Sequence, residues 1–277
     1  MEVLPGVSGG TVALLVGVYE RLLASAEHLV RGLALAVGDP VRGRGLSRAR
    51  AQLAAVEWRF VLPIAVGMLA AVALGAAIVA PLVDEHPGDA RALFLGLVLA
   101  SVAVPARMVG GRWSAREWAL AVPAAVLGFA LTGLPAAEPG DAALWAVAGS
   151  AAVAVCALVL PGVSGSFLLL ALGMYEPVLR AVNERDLPVL GAFALGAVVG
   201  LASFVRLLRW LLAHRRRTTL AIMTGLMVGS LRALWPWQAA DGGLLPPGSD
   251  ALLMAGWCLL GIAVVAGALL LERRRAR

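Results

Sequence analysis

The chain has 277 residues, of which 61% are hydrophobic and only 14% are charged, and its mean hydropathy is +0.88. A soluble globular domain is about half apolar and about one quarter charged, so this composition excludes that class and indicates an integral membrane protein. The net charge of +6 is concentrated between apolar segments, which is typical of cytoplasmic loops and not of a nucleic-acid-binding surface.

Several common kinds of site have no support in the sequence. Cys156 and Cys258 both lie inside apolar runs, where we expect small buried hydrophobic residues and not a redox pair. The three histidines are too scattered for a metal site. The apolar N-terminus lacks the basic leader and small-residue cleavage site of a signal peptide. Because no nucleotide-binding loop or Ser/His/Asp arrangement is present either, we expect neither a cofactor nor an enzyme.

In chain order, charged segments separate apolar ones. The first 30 residues hold a PGVSG motif and a helical pattern, and 31–59 is an Arg-rich polar loop with room for a short surface helix. A transmembrane helix needs about 20 apolar residues. The predicted spans are 60–83, 92–106, 118–137, 187–205, 218–231 and 251–271.

The distribution of arginines predicts the orientation of these spans, because cytoplasmic loops are enriched in basic residues. The acidic loops at 84–89, 138–141 and 238–250 are then external. The Arg-rich segments, together with the C-terminus, are predicted to be cytoplasmic; they are 31–59, 107–116, 214–217 and 272–277.

The PGVSG motif occurs a second time, at 161–165, and the similarity extends beyond it. Segments 5–20 and 161–176 are identical at nine of sixteen positions, and both end in Tyr-Glu. Further along, GLVLAS at 96–101 corresponds to GLMVGS at 225–230, and Gly67 corresponds to Gly196. These later matches have an offset of 129 instead of 156, and the longer loop at 31–59 accounts for the difference. The sequence therefore predicts two halves, 1–137 and 138–277, within one membrane domain.

The second PGVSG motif interrupts a run of 34 uncharged residues, 142–175, which is too long for one span. Since this segment must begin and end on the external side, it is predicted to be a re-entrant hairpin with PGVSGS at its tip. Broken backbone at membrane depth must be buried in protein or line a cavity. The first motif should form a matching hairpin from the opposite side. Only four residues precede Pro5, however, so we expect the natural start to lie upstream of Met1.

The predicted fold is an all-α polytopic membrane protein with two inverted repeats. Each repeat contains one re-entrant PGVSG hairpin and three transmembrane helices, and this odd number of spans inverts the second half relative to the first. Secondary transporters with this plan bind their substrates where broken helices meet near the membrane midplane.

The motif tips are candidates for anion binding. A Gly-rich turn that opens a helix presents free backbone N–H groups, and hydroxyl side chains add further donors. The alternative is that these small residues only allow close helix packing. The candidate substrate-binding residues of the two tips are Ser8, Gly9, Gly10, Thr11, Ser164, Gly165 and Ser166.

Charged residues near the motifs complete the candidate site. Glu20 and Glu176 are repeated carboxylates in apolar surroundings, which makes them candidates for proton coupling. They could instead be interfacial residues satisfied by Arg21 or Arg180. Both arginines are also candidate phosphate ligands, and so is Arg232, which ends an apolar run and could alternatively extend to the membrane surface.

Three segments resemble a bacterial family catalogued as domain of unknown function 368, now regarded as polyprenyl-phosphate transporters. They are PGVSGGT with the following Tyr-Glu-Arg, LPGVSGSFLLLALGMYEPVL at 160–179, and GLMVGSLRALWPW at 225–237. The resemblance implies a multi-pass protein of the bacterial plasma membrane that returns undecaprenyl phosphate across the bilayer for cell-wall synthesis, coupled to an ion gradient. Its partners would be the polyprenyl-phosphate lipid and the surrounding membrane lipids.

Two other functions remain open. Undecaprenyl-pyrophosphate phosphatases also pair inverted repeats with Pro-Gly-x-Ser tips, but their tips resemble PGxSRS, and Gly9 and Gly165 stand where that arginine would be. A carrier for a small soluble anion fits the residues as well as a lipid transporter does, and only the resemblance separates the two.

Overall fold

The computed structural model describes residues 13, 17–74, 85–134, 143–161, 164–239 and 243–275. These residues are almost entirely helical, and the β-structure among them is one isolated antiparallel bridge between Gln238 and Leu244, so the predicted all-α class is confirmed. The helices are α1 (Tyr19–Val41), α2 (Ser47–Ala54), α3 (Trp58–Leu74), α4 (Pro87–Met108), α5 (Ala115–Leu131), α6 (Leu144–Val159), α7 (Gly165–Ala171), α8 (Tyr175–Glu184), α9 (Leu187–His214), α10 (Arg216–Ser230), a 3₁₀ turn (Leu231–Leu234) and α11 (Ala251–Arg275).

Three of the described helices, α4, α9 and α11, are long and apolar enough to cross a membrane. The number rises to four if α2 and α3, which meet at a bend of 70°, form one span. The apolar helix α6 has 16 residues, while α5 and α10 have 17 and 15. These three are shorter than the roughly 20 residues that an isolated span needs.

Glycines bring the central helices into close contact. A Cβ atom on Gly96 of α4 would lie 1.9 Å from the Cys258 carbonyl oxygen of α11, and one on Gly225 of α10 would lie 2.2 Å from that of Ala121 on α5. The two glycines correspond in the sequence repeat. Each repeat therefore packs its glycine-bearing helix against the last helix of the other repeat, as expected where small residues let backbones approach.

The corresponding glycines of α3 and α9 have different surroundings. Gly196 of α9 lies against α6, where an added Cβ would come 2.0 Å from the carbonyl oxygen of Ala148. Around Gly67 of α3, no atom of the described residues lies within 4 Å of such a Cβ. At Gly196, α9 is thus covered by α6, whereas at the corresponding Gly67, no described helix covers α3.

The segment 31–59 is more ordered than the predicted polar loop. Helix α1 continues to Val41, and α2 folds back against it. A Cβ on Gly32 would lie 2.7 Å from a methyl carbon of Leu53, and His28 Nδ1 lies 2.9 Å from Gln52 Oε1. The short surface helix was predicted, but the extension of α1 was not, because its stability comes from packing on α2.

Helix α9 is also longer than the sequence predicts, since its apolar run predicts a span of 187–205. The helix begins with Asp186, whose carboxylate accepts a hydrogen bond from Val189 N at 3.2 Å, a favourable N-cap. It then continues to His214 and carries Arg206 and Arg209 beyond the apolar run. This extension brings Arg209 into an ion pair with Glu27 of α1.

Candidate functional site

The ends of the two motif segments have the same local geometry. Gly17 and Gly173 both have positive φ values, +72° and +69°, which glycine adopts without steric cost. The residue after each glycine donates its N–H to a carbonyl five residues earlier: Val18 to Ala13 at 3.0 Å, and Met174 to Leu169 at 2.9 Å. Hydrogen bonds of this kind end helices in the Schellman motif. The repeat seen in the sequence is thus also a repeat of backbone structure at these positions.

The second PGVSG motif lies between α6 and α7. Helix α6 ends at Val159, and Pro161 and Ser164 are buried. The hydroxyl oxygens of Ser164 and Ser166 lie 3.0 Å apart. Gly165 packs so closely on α6 that an added Cβ would come 2.5 Å from the carbonyl oxygen of Ala154. Gly165 is therefore needed for packing, whatever its part in binding.

A tyrosine from the first half reaches the end of α6. The Tyr19 hydroxyl donates a hydrogen bond to the carbonyl oxygen of Val159 at 2.9 Å, although the two residues are 140 positions apart, and Tyr19 is 4% exposed. Tyr19 and Ala13 also belong to an apolar cluster with Leu208 of α9. The structure therefore brings the end of the first motif segment to the second motif. The tip residues Ser8, Gly9, Gly10 and Thr11 lie outside the described residues.

The two repeated glutamates differ in their surroundings. Glu20 forms an ion pair with Arg216 of α10 at 2.6 Å, and both side chains are about half exposed. In the described part of the chain, Glu176 and Arg180 are exposed and neither forms an ion pair. Neither glutamate is thus paired with the arginine that follows it on its own helix.

Arg21 is directed away from Glu20 and towards α3. Its guanidinium forms an ion pair with Glu57 and lies 4.1 Å from the centre of the Phe60 ring. The hydrogen bond from Arg21 lowers the pKa of the Glu57 carboxyl below its usual range. On the other side of Arg21, a cavity of about 370 Å³ is lined by Gly17, Tyr19, Glu20, Arg21 and Met108.

Arg232 lies in the 3₁₀ turn that follows α10 and contacts α5. Its guanidinium is 5.0 Å from the centre of the Phe129 ring and fills the space where a side chain at Gly133 would stand. Its Nε atom is buried and has no hydrogen-bond partner among the described residues. The structure thus places Arg232 against α5, without a described contact to the second motif.

Sequence reasoning missed the ion pairs that connect the Arg-rich segments. Glu117 caps α5 by accepting a hydrogen bond from Ser114 N at 2.7 Å, and Arg217 Nε donates to the same carboxylate at 3.1 Å. Arg217 also donates to the carbonyl of Arg112 at 3.1 Å. Segments 107–116 and 214–217 therefore adjoin. The Ser-x-x-Glu capping pattern was visible in the sequence, but nothing there indicated its partner.

Sequence reasoning also missed Tyr19, although a signal for it was present. The tyrosine is identical in both copies of the motif segment, at 19 and 175. A tyrosine that recurs at the same place in an apolar repeat is expected to be buried, and a buried tyrosine hydroxyl usually has a hydrogen-bond partner. As for metals, the described residues contain no group of three or more His, Cys, Asp or Glu side chains that could hold an ion.

Comparison with known proteins identifies the family. Residues 1–245 match the model of a family described as undecaprenyl phosphate translocase-like. The chain is 36% identical to a polyprenyl-phosphate transporter of Vibrio cholerae over 238 residues, which are 86% of this chain and 74% of the relative.

A polyprenyl-phosphate transporter of Staphylococcus aureus is 35% identical over 86 residues, covering 29% of this chain and 30% of the relative. No solved structure matches the chain. The family model covers most of the sequence, and the motif segments lie within it. The chain belongs to the undecaprenyl phosphate translocase-like family.

Proposed function

We propose that this protein carries polyprenyl phosphate, and specifically undecaprenyl phosphate, across the bacterial plasma membrane. The observation that carries the proposal is the similarity to the Vibrio cholerae polyprenyl-phosphate transporter along 86% of the chain. The physical problem is to move a charged phosphate through about 30 Å of hydrocarbon, while the prenyl tail can remain in lipid. A polar site enclosed by otherwise apolar helices meets that need.

The proposed architecture is a pair of inverted repeats, each with a re-entrant hairpin at its PGVSG motif. Two observations support it. The pairing of α4 with α11 corresponds, under the sequence repeat, to the pairing of α10 with α5. In addition, α7 turns back against α6 at the second motif, as the limbs of a hairpin do.

The proposed substrate site lies where the two motifs meet. The hydroxyls of Ser164 and Ser166, with the polar groups of Ser8 and Thr11 from the first tip, would donate hydrogen bonds to the phosphate oxygens. The contact between Tyr19 and Val159 supports this, because it joins the first motif segment to the second motif. Gly9, Gly10 and Gly165 would keep the surrounding backbone close, and Arg21, Arg180 and Arg232 would attract the phosphate as it enters or leaves.

The proposed orientation places the Arg-rich segments and the C-terminus in the cytoplasm. The ion pairs that join α1 to α9 and α10, and α5 to α10, support a common side for three of these segments. Glu20 and Glu176 are the proposed coupling residues. Glu176 is exposed, whereas Glu20 is paired with Arg216.

The function can be tested in proteoliposomes that contain labelled undecaprenyl phosphate. We expect the label to leave one leaflet faster than in protein-free vesicles, without phosphate release, and faster still with a pH gradient. Ser164→Ala should slow this movement about tenfold or more. Ser203→Ala is a matched control, because the Ser203 hydroxyl bonds to a carbonyl of its own helix α9 at 2.8 Å.

Other outcomes would refute the proposal in distinct ways. Release of phosphate from undecaprenyl pyrophosphate would make the motif tips catalytic. If the lipid neither moves nor is hydrolysed, while a small anion such as phosphate is taken up, the protein is a carrier for soluble anions.

A further inference from the structure

Helix α6 ends at Val159, directly before the second PGVSG motif. The next residue, Leu160, has an extended backbone with ψ of 127°. The carbonyls in the last turn of a helix have no partner within that helix and accept hydrogen bonds from other groups.

Tyr19 supplies one donor to this helix end from the other half of the molecule. Its hydroxyl lies 2.9 Å from the Val159 oxygen, and its ring is buried in a cluster formed with Val205 and Leu208 of α9. Because the ring is enclosed, the hydroxyl has little freedom to leave the carbonyl. The position of the carbonyl at the end of α6 is thereby tied to the start of α1.

We propose that Tyr19 is a positioning residue for the substrate site: by holding the Val159 carbonyl at the end of α6, it keeps Ser164 and Ser166 where they bind the phosphate head group. This inference rests on the proposed function and adds a residue to it. Tyr19 need not touch the lipid. Without its hydroxyl, the two serines would occupy the binding arrangement for a smaller fraction of the time, and apparent affinity falls in proportion to that fraction.

The corresponding tyrosine has different surroundings among the described residues. Tyr175 begins α8 as Tyr19 begins α1, but it is 40% exposed and has no hydrogen-bond partner for its hydroxyl in the described part of the chain. Tyr175→Phe is therefore the matched control for removing a tyrosine hydroxyl. A second control, Thr224→Val, removes a buried hydroxyl that bonds to the carbonyl of Leu220 within α10 at 2.7 Å.

The experiment measures binding of a short-chain polyprenyl phosphate to purified, monodisperse protein, together with each variant's melting temperature. We expect Tyr19→Phe to weaken binding about tenfold, which matches the loss of one hydrogen bond to a buried acceptor. Tyr175→Phe should bind like the wild type. Thr224→Val should melt at a lower temperature yet bind normally, which separates stability from positioning.

Two results would overturn the inference. If Tyr19→Phe binds as tightly as the wild type, or if Thr224→Val weakens binding as much as Tyr19→Phe, the hydroxyl contributes only to stability. Both leave the proposed function intact, because the wild-type protein still binds the lipid. If the wild type itself binds no polyprenyl phosphate, the proposed function fails, and the inference fails with it.

Discussion

The two copies of the Tyr-Glu pair show how one local sequence acquires two different environments. Tyr19 is buried and donates a hydrogen bond to the carbonyl of Val159 just before the second motif, and Glu20 is paired with Arg216. Tyr175 and Glu176 are exposed. The preceding glycines nevertheless have almost the same φ values. The motif therefore determines the local backbone, whereas the partners come from whatever the other half of the molecule places nearby.

The same contrast extends to the helices after the motifs. Helix α1 packs against α2 and α9, while α8 packs mainly against its chain neighbours α7 and α9. Under the repeat, the position that corresponds to Val159 is Val3, which lies outside the described residues. The described environment of Tyr175 therefore does not include Val3, the residue that would correspond to the partner of Tyr19.

The largest expected effect on stability comes from a pair of repeated glycines, Gly67 and Gly196, whose surroundings differ between the halves. Gly196→Val would force a side chain into the carbonyl of Ala148, and overpacking of this kind typically costs about 1–3 kcal/mol. Gly67→Val should change stability by no more than about 0.5 kcal/mol, as expected of a site around which no described atom lies within 4 Å of an added Cβ. Thermal unfolding in one detergent would compare them. Equal losses would show that α3 is as closely covered as α9.

A smaller effect is expected from the ion pair that distinguishes the two glutamates. Arg216→Glu should lower stability by less than about 1 kcal/mol, since the pair is partly exposed. The exchanged double variant, Glu20→Arg with Arg216→Glu, should restore most of the loss. Glu176→Arg should have no measurable effect on unfolding. A double variant no better than Arg216→Glu alone would mean that the two residues do not interact.

The smallest expected effect concerns Arg21 and Glu57 and depends on pH. Because the folded-state pKa of Glu57 is lowered, the pair contributes stability above the unfolded-state pKa of about 4.3 and loses it as pH falls through the folded-state value. Between pH 7 and pH 3, the wild type should therefore lose slightly more stability than Glu57→Gln. If Glu57→Gln loses as much as the wild type, the pair contributes nothing in solution.

Much of the fold could be predicted because apolar composition and the repeat are local properties of the sequence. The all-α class and the membrane location follow from hydropathy. The break at Pro161 was also predictable, since Pro and Gly interrupt helices. The geometry at Gly17 and Gly173 repeats because the residues around them repeat.

The partners of the charged and polar groups could not be predicted. Glu20 pairs with a residue 196 positions away, and Tyr19 bonds to one 140 positions away. Such contacts depend on how helices assemble, and many arginines were equally plausible partners in the sequence. The length of α1 was missed for a related reason, because its continuation depends on packing against α2, where His28 contacts Gln52 and Asp39 pairs with Arg48.

The central claim is that the two PGVSG copies form one phosphate site, and a double-mutant cycle on Ser8 and Ser164 tests it most directly. Binding of a short-chain polyprenyl phosphate would be measured for Ser8→Ala, Ser164→Ala and the double variant. Residues that share one ligand show a non-additive effect, so we predict that the double variant loses clearly less affinity than the product of the two single losses. Strictly multiplicative losses, or no loss from Ser8→Ala, would contradict a shared site.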